Sequence, residues 1–163
     1  MDKTELAPAN PGPLSGVRVV DLSSVVMGPS CTQILGDLGA DIIKVEHPDG
    51  DNVRWIGPAR HDGMGPLFMQ NNRNKRSVVL DLKMETGREA LLELVRSADV
   101  FVYNIRPQGI ARLGLDYAAV SAANPGIIYA AAVAYGRDGP ESGRPVYDDI
   151  MQASAGISDL FAK

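Results

Sequence analysis

Residues 16–48, GVRVVDLSSVVMGPSCTQILGDLGADIIKVEHP, read as strand, turn, helix and strand. Val17, Val19, Val20 and Leu22 form a β-branched apolar run that stops at the polar pair Ser23-Ser24. Gly28-Pro29 then opens a helix, where proline's missing amide donor costs nothing. Cys31, Ile34, Leu35 and Leu38 recur at i, i+3, i+4 and i+7, which predicts one apolar, buried face. Gly39 ends the helix, and Ile42, Ile43 and Val45 make a second apolar run. Such a βαβ unit builds parallel sheets with ligand sites at the carboxyl ends of the strands. The segments expected to face a ligand are therefore 23–29 and 46–51.

The rest of the chain repeats the alternation. Residues 49–66 are rich in Gly, Pro and Asp and read as a long loop, the kind that is usually functional or mobile. The run 71–76 is polar and basic, and 77–82 is a short β-type run. Thr86 to Glu89 fits a capping box, ahead of a helix whose buried face is Leu91, Leu94, Val95 and Ala98. Residues 100–103 form a strand, 109–113 and 117–123 short helical pieces, and 127–133 a strand of the fully buried kind. Tyr147, Ile150, Met151, Ile157 and Phe161 outline one amphipathic helix running to Lys163. The fold class is α/β, a Rossmann-like, mostly parallel sheet with flanking helices.

With 163 residues the chain can bury a sizeable core. A net charge of −4 argues against a general nucleic-acid binder. No apolar run is long enough for a membrane span, and residues 1–13, with Pro8, Pro11 and Pro13, read as a flexible lead rather than a secretory signal. The single cysteine, Cys31, sits on the apolar helix face and reads as a buried structural thiol rather than a nucleophile. The expectation is a soluble cytoplasmic protein.

A nicotinamide-binding domain is the first chemistry to test, since Glu46 ends the second strand, where a ribose-binding acid would stand. The turn 23–28 has one glycine, not the G-x-G-x-x-G that lets backbone approach a pyrophosphate. No G-x-x-x-x-G-K-[ST] phosphate loop and no G-x-S-x-G elbow occurs, and His47 and His61 lack paired metal-ligand spacing, so no metal site is expected. What remains is a set of polar residues after strands: Ser23, Ser24, His47, the run 71–76, Asn104, Arg106 and Asp148. They read equally as solvated loops or as a site for a phosphorylated ligand, which Arg forks and Lys point charges suit.

Five ordered motifs resemble the family III CoA-transferases: residues 13–54, NNRNKRSVVLDLK (71–83), NIRPQGIARLGLDY (104–117), NPGIIYAAAVAYGRDGP (124–140) and YDDIMQASAG (147–156). This is the superfamily of formyl-CoA transferase, carnitine CoA-transferase and α-methylacyl-CoA racemase. The resemblance implies that 14–163 is the N-terminal part of a Rossmann-like large domain, within an interlocked homodimer. It implies coenzyme A or acyl-CoA as substrate, a carboxylic acid as the other partner, and no permanently bound cofactor. Residue by residue, Val26, Met27, His47, Leu80, Asp81, Lys83, Asn104, Ile105, Arg106 and Arg112 match coenzyme-lining positions. His47 replaces an arginine, and a histidine cannot supply a permanently charged fork. Tyr147 and Asp148 match the pair that opens the active-site helix. Racemases of the superfamily have a histidine at the Tyr147 position; phenols ionise well above neutrality, so tyrosine favours transfer over racemisation. Packing of Tyr147 on the core is an equal alternative. The family moves CoA through an aspartyl-CoA intermediate, and that aspartate is expected beyond Lys163. A chain without it would be inactive alone, and a non-catalytic CoA-binding module is the competing expectation.

Overall fold

The structure, a computed structural model, describes residues 12–136, 138–142 and 144–163. Its centre is an all-parallel sheet of five strands among the described residues: β1 (Arg18–Leu22), β2 (Asp41–Glu46), β3 (Lys75–Val79), β4 (Val100–Tyr103) and β5 (Ile128–Ala131). The order across the sheet is β3-β2-β1-β4-β5. The order reverses between β1 and β4, which is where open α/β sheets take their ligands. The helices are α1 (Met27–Asp37), α2 (Pro66–Asn71), α3 (Glu85–Arg96), α4 (Pro107–Arg112), α5 (Tyr117–Ala123), α6 (Asp148–Ser154) and α7 (Ile157–Phe161).

Period-2 alternation divides the strand side chains between two layers. Val20, Leu22, Val45, Phe101 and Tyr103 face one layer, where Leu91 and Val95 of α3, Ile110 of α4 and Val120 of α5 close the main core. Phe101, Tyr103 and Tyr129 stack there with ring centres 4.9–5.9 Å apart. Val19, Ile42 and Val102 face the other layer, with Leu14 and Leu35. That second layer changes character along the strands: β1 and β2 continue on it with Asp21, Lys44 and Glu46, all buried.

This change corrects the reading of α1. The residues it buries are Gly28, Pro29, Thr32 and Gln33, while Cys31 is exposed and Ile34 is 55% exposed. Helical periodicity identified an apolar stripe. The helix is rotated off it because Thr32 Oγ1 donates to the buried Asp21 carboxylate at 2.6 Å. Gly28 lies against Ser23 so closely that a Cβ would overlap the serine side chain. The lone glycine of the turn therefore serves helix–strand contact.

Other boundaries shift for local reasons. The loop 49–66 contains a 3-10 turn, Asn52–Trp55, capped by the Asp51 side chain. The basic run 71–76 ends α2 and starts β3, two residues ahead of the expected strand. The expected capping box is not formed: α3 starts at Glu85 with Met84 at its N-cap and no side-chain cap, so Thr86 and Glu89 lie inside the helix. Residues 128–131 are an edge strand with Ile128 63% exposed, rather than a strand buried on both faces. The terminal helix is two helices, α6 and α7, divided at Gly156 with φ 75°, and neither buries a side chain. Of the expected flexible lead, positions 1–11 lie outside the described residues; Gly12 packs on the Leu38 carbonyl, and Leu14 N–H donates to the same oxygen at 3.0 Å.

Gly28→Ala is expected to destabilise the chain by about 1–3 kcal/mol through overpacking against Ser23, despite alanine's better helix propensity. A lower urea midpoint at unchanged m-value would show it.

Candidate functional site

A cavity of about 320 Å³ opens at the carboxyl ends of the strands, within the size range of small-ligand clefts. Leu22 and Ser23–Ser24 enter it from β1, and residues 44–47 from β2. Leu80 follows β3 and Ile105 follows β4. Leu82, Leu113 and the loop residues 50–52 complete the wall, with Lys83 and His47 exposed at the rim. Its surface is chiefly aliphatic, so it suits a ligand with a flat or apolar portion and charge held outside.

The turn after β1 is shaped almost entirely by side chains from elsewhere. Ser23 N–H and Oγ donate to Asp21, and the Ser23 carbonyl accepts from Lys44 Nζ at 2.8 Å. Asn104 brackets Ser24, accepting from its N–H at 3.0 Å and donating to its carbonyl at 2.7 Å. Val25 N–H donates to Asp51 Oδ1 at 3.2 Å. Val25 has φ 71°, a left-handed conformation that a β-branched residue adopts only at a cost of roughly 1–3 kcal/mol.

Two buried ion pairs hold these anchors. Lys44 Nζ lies 3.0 Å from Asp51 Oδ2, with both side chains 1% exposed. Lys75 Nζ lies 3.0 Å from Asp21 Oδ2 and also donates to the Pro29 carbonyl and Asn72 Oδ1. Burial pulls the Lys75 ammonium below its usual pKa, against the attraction of Asp21. Either charge left without its partner would be strongly destabilising.

Glu46 is committed in the same manner. Burial favours its protonated form, but the Arg54 fork, Ser77 Oγ and the Asp51 N–H outweigh that and hold its carboxyl at about 2. Arg54 reaches both Glu46 oxygens at 2.6 and 2.7 Å and stacks over the Phe68 ring. A ribose-binding role would require this carboxylate to be open; here it is a structural counter-ion. Asp51 and Glu46 both face the cavity and are both charge-paired, so the cavity presents no unpaired carboxylate for nucleophilic attack. Among the described residues there is no His, Cys, Asp and Glu cluster of metal-ligand type.

Of the residues singled out from sequence, His47, Leu80, Lys83 and Ile105 line the cavity. Asn104 acts behind it, through Ser24. Asp81 turns the chain, accepting from Lys83 N–H at 2.9 Å. Val26 and Met27 are exposed at the start of α1, and Arg106 and Arg112 are exposed around α4. Tyr147, 80% exposed, and Asp148 begin α6 and are not among the lining residues. The basic run is spent on structure: Arg73 pairs with Asp37 at 2.6 Å, Lys75 with Asp21, and Arg76 with Asp41 at 2.7 Å. Asp51 enters the sequence reading only as the end of the segment 46–51, and Lys44 and Asp21 do not enter it. A lone charge inside a run that is otherwise buried was the available signal, since such a charge must find a partner.

Residues 14–163 match the family described as CoA-transferase family III. The acetyl-CoA:oxalate CoA-transferase of Acetobacter aceti is 46% identical over 156 residues, covering 94% of this chain and 40% of that protein. Succinyl-CoA:glutarate CoA-transferase of Mus musculus is 42% identical over 149 residues, covering 91% of this chain and 34% of that protein. A CaiB/BaiF family protein from Brucella suis superposes with a TM-score of 0.87 at 41% identity, over 92% of this chain and 41% of that one. The chain thus spans 34–41% of the length of these relatives.

Because the Glu46 carboxyl is held at about 2 against an ordinary 4.5, its contribution to stability is complete above the higher value and is lost as pH falls toward the lower. Unfolding free energies of the natural chain and Glu46→Gln, measured from about pH 6 down to about pH 2, should converge, with a change in their difference on the order of 3 kcal/mol.

Proposed function

The chain belongs to CoA-transferase family III, and from that premise we propose that its cavity cradles coenzyme A in an enzyme that moves CoA from an acyl-CoA thioester to a free carboxylic acid. The observation that carries the reading is the position of an aliphatic cavity at the carboxyl ends of β1 to β4, inside the matched region. His47, Leu80, Lys83 and Ile105 contact the coenzyme directly, with Lys83 supplying a point charge to its phosphates. Val26, Met27, Asp81, Arg106 and Arg112 flank that contact, and Asn104 supports it from behind. Residues 14–163 are then the N-terminal, coenzyme-binding part of the large domain.

In this reaction an aspartate carboxylate attacks the thioester carbonyl, releasing CoA thiolate and forming an acyl-aspartyl anhydride. The thiolate attacks the aspartyl carbonyl of the anhydride, releasing the donor carboxylate and leaving an aspartyl-CoA thioester. The acceptor carboxylate then attacks that thioester, releasing CoA thiolate and forming a second anhydride, and the thiolate attacks the acceptor's carbonyl in it to give the new acyl-CoA and free the aspartate. The cavity's own carboxylates have no such role in our reading, since Arg54 and Lys44 neutralise them. Its task is to bind and orient the coenzyme, so that remote binding energy serves the reacting end. A cytoplasmic homodimer of interlocked chains belongs to the same reading and rests on the family alone.

Isothermal titration with CoA and, separately, NADH tests the assignment. CoA should bind and NADH should not. Ile105→Asp, which puts a charge on an aliphatic wall, should weaken CoA by at least about tenfold. Lys83→Ala should weaken it by about three- to tenfold, and the loss should shrink as salt rises. Binding of NADH without CoA would overturn the proposal.

A further inference from the structure

The strained turn and the buried pair behind it are joined at two points. Asp51 Oδ1 accepts from Val25 N–H and from Val53 N–H, both at 3.2 Å, while Oδ2 holds Lys44 Nζ. Lys44 spans from β2 to the carbonyl of Ser23. The two residues thus tie the segments after β1 and β2 together across the mouth of the cavity that both segments line. Structural economy does not require this. A buried Lys–Asp pair is no more stabilising than well-packed aliphatic side chains of similar size, and a valine at φ 71° is a standing cost. Strain of this kind persists when the surroundings over-determine it, and it concentrates at ligand clamps.

We infer that Lys44 and Asp51 are positioning residues: they hold Val25 in its left-handed conformation so that residues 23–25 meet the ligand already shaped for it. Neither residue needs to touch the ligand, since both side chains are 1% exposed. Their effect is on the fraction of chains with a competent turn, and apparent affinity falls in proportion to that fraction. The inference rests on the coenzyme A reading for its ligand, but its mechanical part stands apart from it.

Three variants of the full chain test it. Removing one member of the pair would strand a buried charge, so both change together. Lys44→Met/Asp51→Ala loses the oxygen for Val25, and its CoA affinity should fall by about tenfold or more if the turn is then competent a tenth of the time or less. Lys44→Met/Asp51→Asn lacks the charges equally but keeps an amide oxygen for the Val25 N–H; it should recover at least half of that loss on a logarithmic scale. Val25→Gly leaves the pair intact. It removes the cost of the left-handed conformation, which glycine populates readily, so its CoA affinity should at least equal that of the natural chain, and added to Lys44→Met/Asp51→Ala it should restore at least half of the lost affinity on a logarithmic scale. Should the double variants fail to fold, the exchange of the Val25 amide in the natural chain decides.

Equal affinity in the Ala and Asn double variants, or an Ala double variant that Val25→Gly does not rescue, would overturn the inference. Hydrogen exchange of the Val25 amide in the unliganded chain separates the two proposals. Protection that is lost in the Lys44→Met/Asp51→Ala background supports the hold on the turn even where CoA fails to bind, a failure that would count against the coenzyme reading only. An unprotected Val25 amide in the natural chain would sink the positioning role.

Discussion

Four charges, buried on one face of the sheet, make this architecture self-consistent. Asp21 and Lys44 occupy interior positions of β1 and β2, where apolar residues would be expected. Lys75 and Asp51 arrive from other segments to neutralise them. A charge desolvated to this extent is tolerated only with a partner and further hydrogen bonds. Once these pairs exist, much else follows. Thr32 turns α1 toward Asp21, the 3-10 turn is capped by Asp51, and the turn 23–25 has few conformations left to choose from.

This polar layer divides the second face of the sheet into two functions. At the amino ends of the strands Val19, Ile42 and Val102 pack with Leu14 and Leu35 as ordinary core. Toward the carboxyl ends the same face is a network of Asp21, Lys44, Glu46 and their partners. The opposite face is mainly aliphatic and aromatic, with the charges of Arg18, Asp41 and Arg76 kept to its amino end, and it is packed by α3, α4 and α5. Rigidity at the ligand end thus comes from hydrogen-bonded charge, and cohesion comes from the hydrophobic layer behind it. The single-glycine turn fits this division: backbone amides that a dinucleotide turn would offer to phosphate are here occupied by Asp21, Asn104 and Asp51.

Membership of CoA-transferase family III accords with that arrangement. The elongated coenzyme carries its reactive sulfur far from its phosphates, so a cradle for it need hold no reacting group. The cavity has aliphatic walls, an exposed lysine at the rim and carboxylates already neutralised, which suits the coenzyme-binding role we propose for it.

The local pattern of the chain was enough for the class of fold. β-branched runs, helical periods and the Gly and Pro breaks between them placed most elements within a few residues, and their alternation implied a parallel sheet. Motif order sufficed for the family; of the ten matching positions, His47, Leu80, Lys83 and Ile105 line the cavity, and Val26, Met27, Asp81, Asn104, Arg106 and Arg112 do not. Periodicity failed where a polar tertiary contact outweighed it. The stripe of Cys31, Ile34 and Leu38 is exposed because Thr32 answers a buried carboxylate. Glu46 and the basic run 71–76 looked open to ligands until their partners appeared. Asp21 and Lys75 are 54 residues apart in sequence, and Ser24 and Asn104 are 80 apart. Hydrophobic period and turn chemistry act between near neighbours and so can be read from the chain. The pairing of buried charges depends on strand order, register and which face a side chain takes, and these exist only once the sheet has formed.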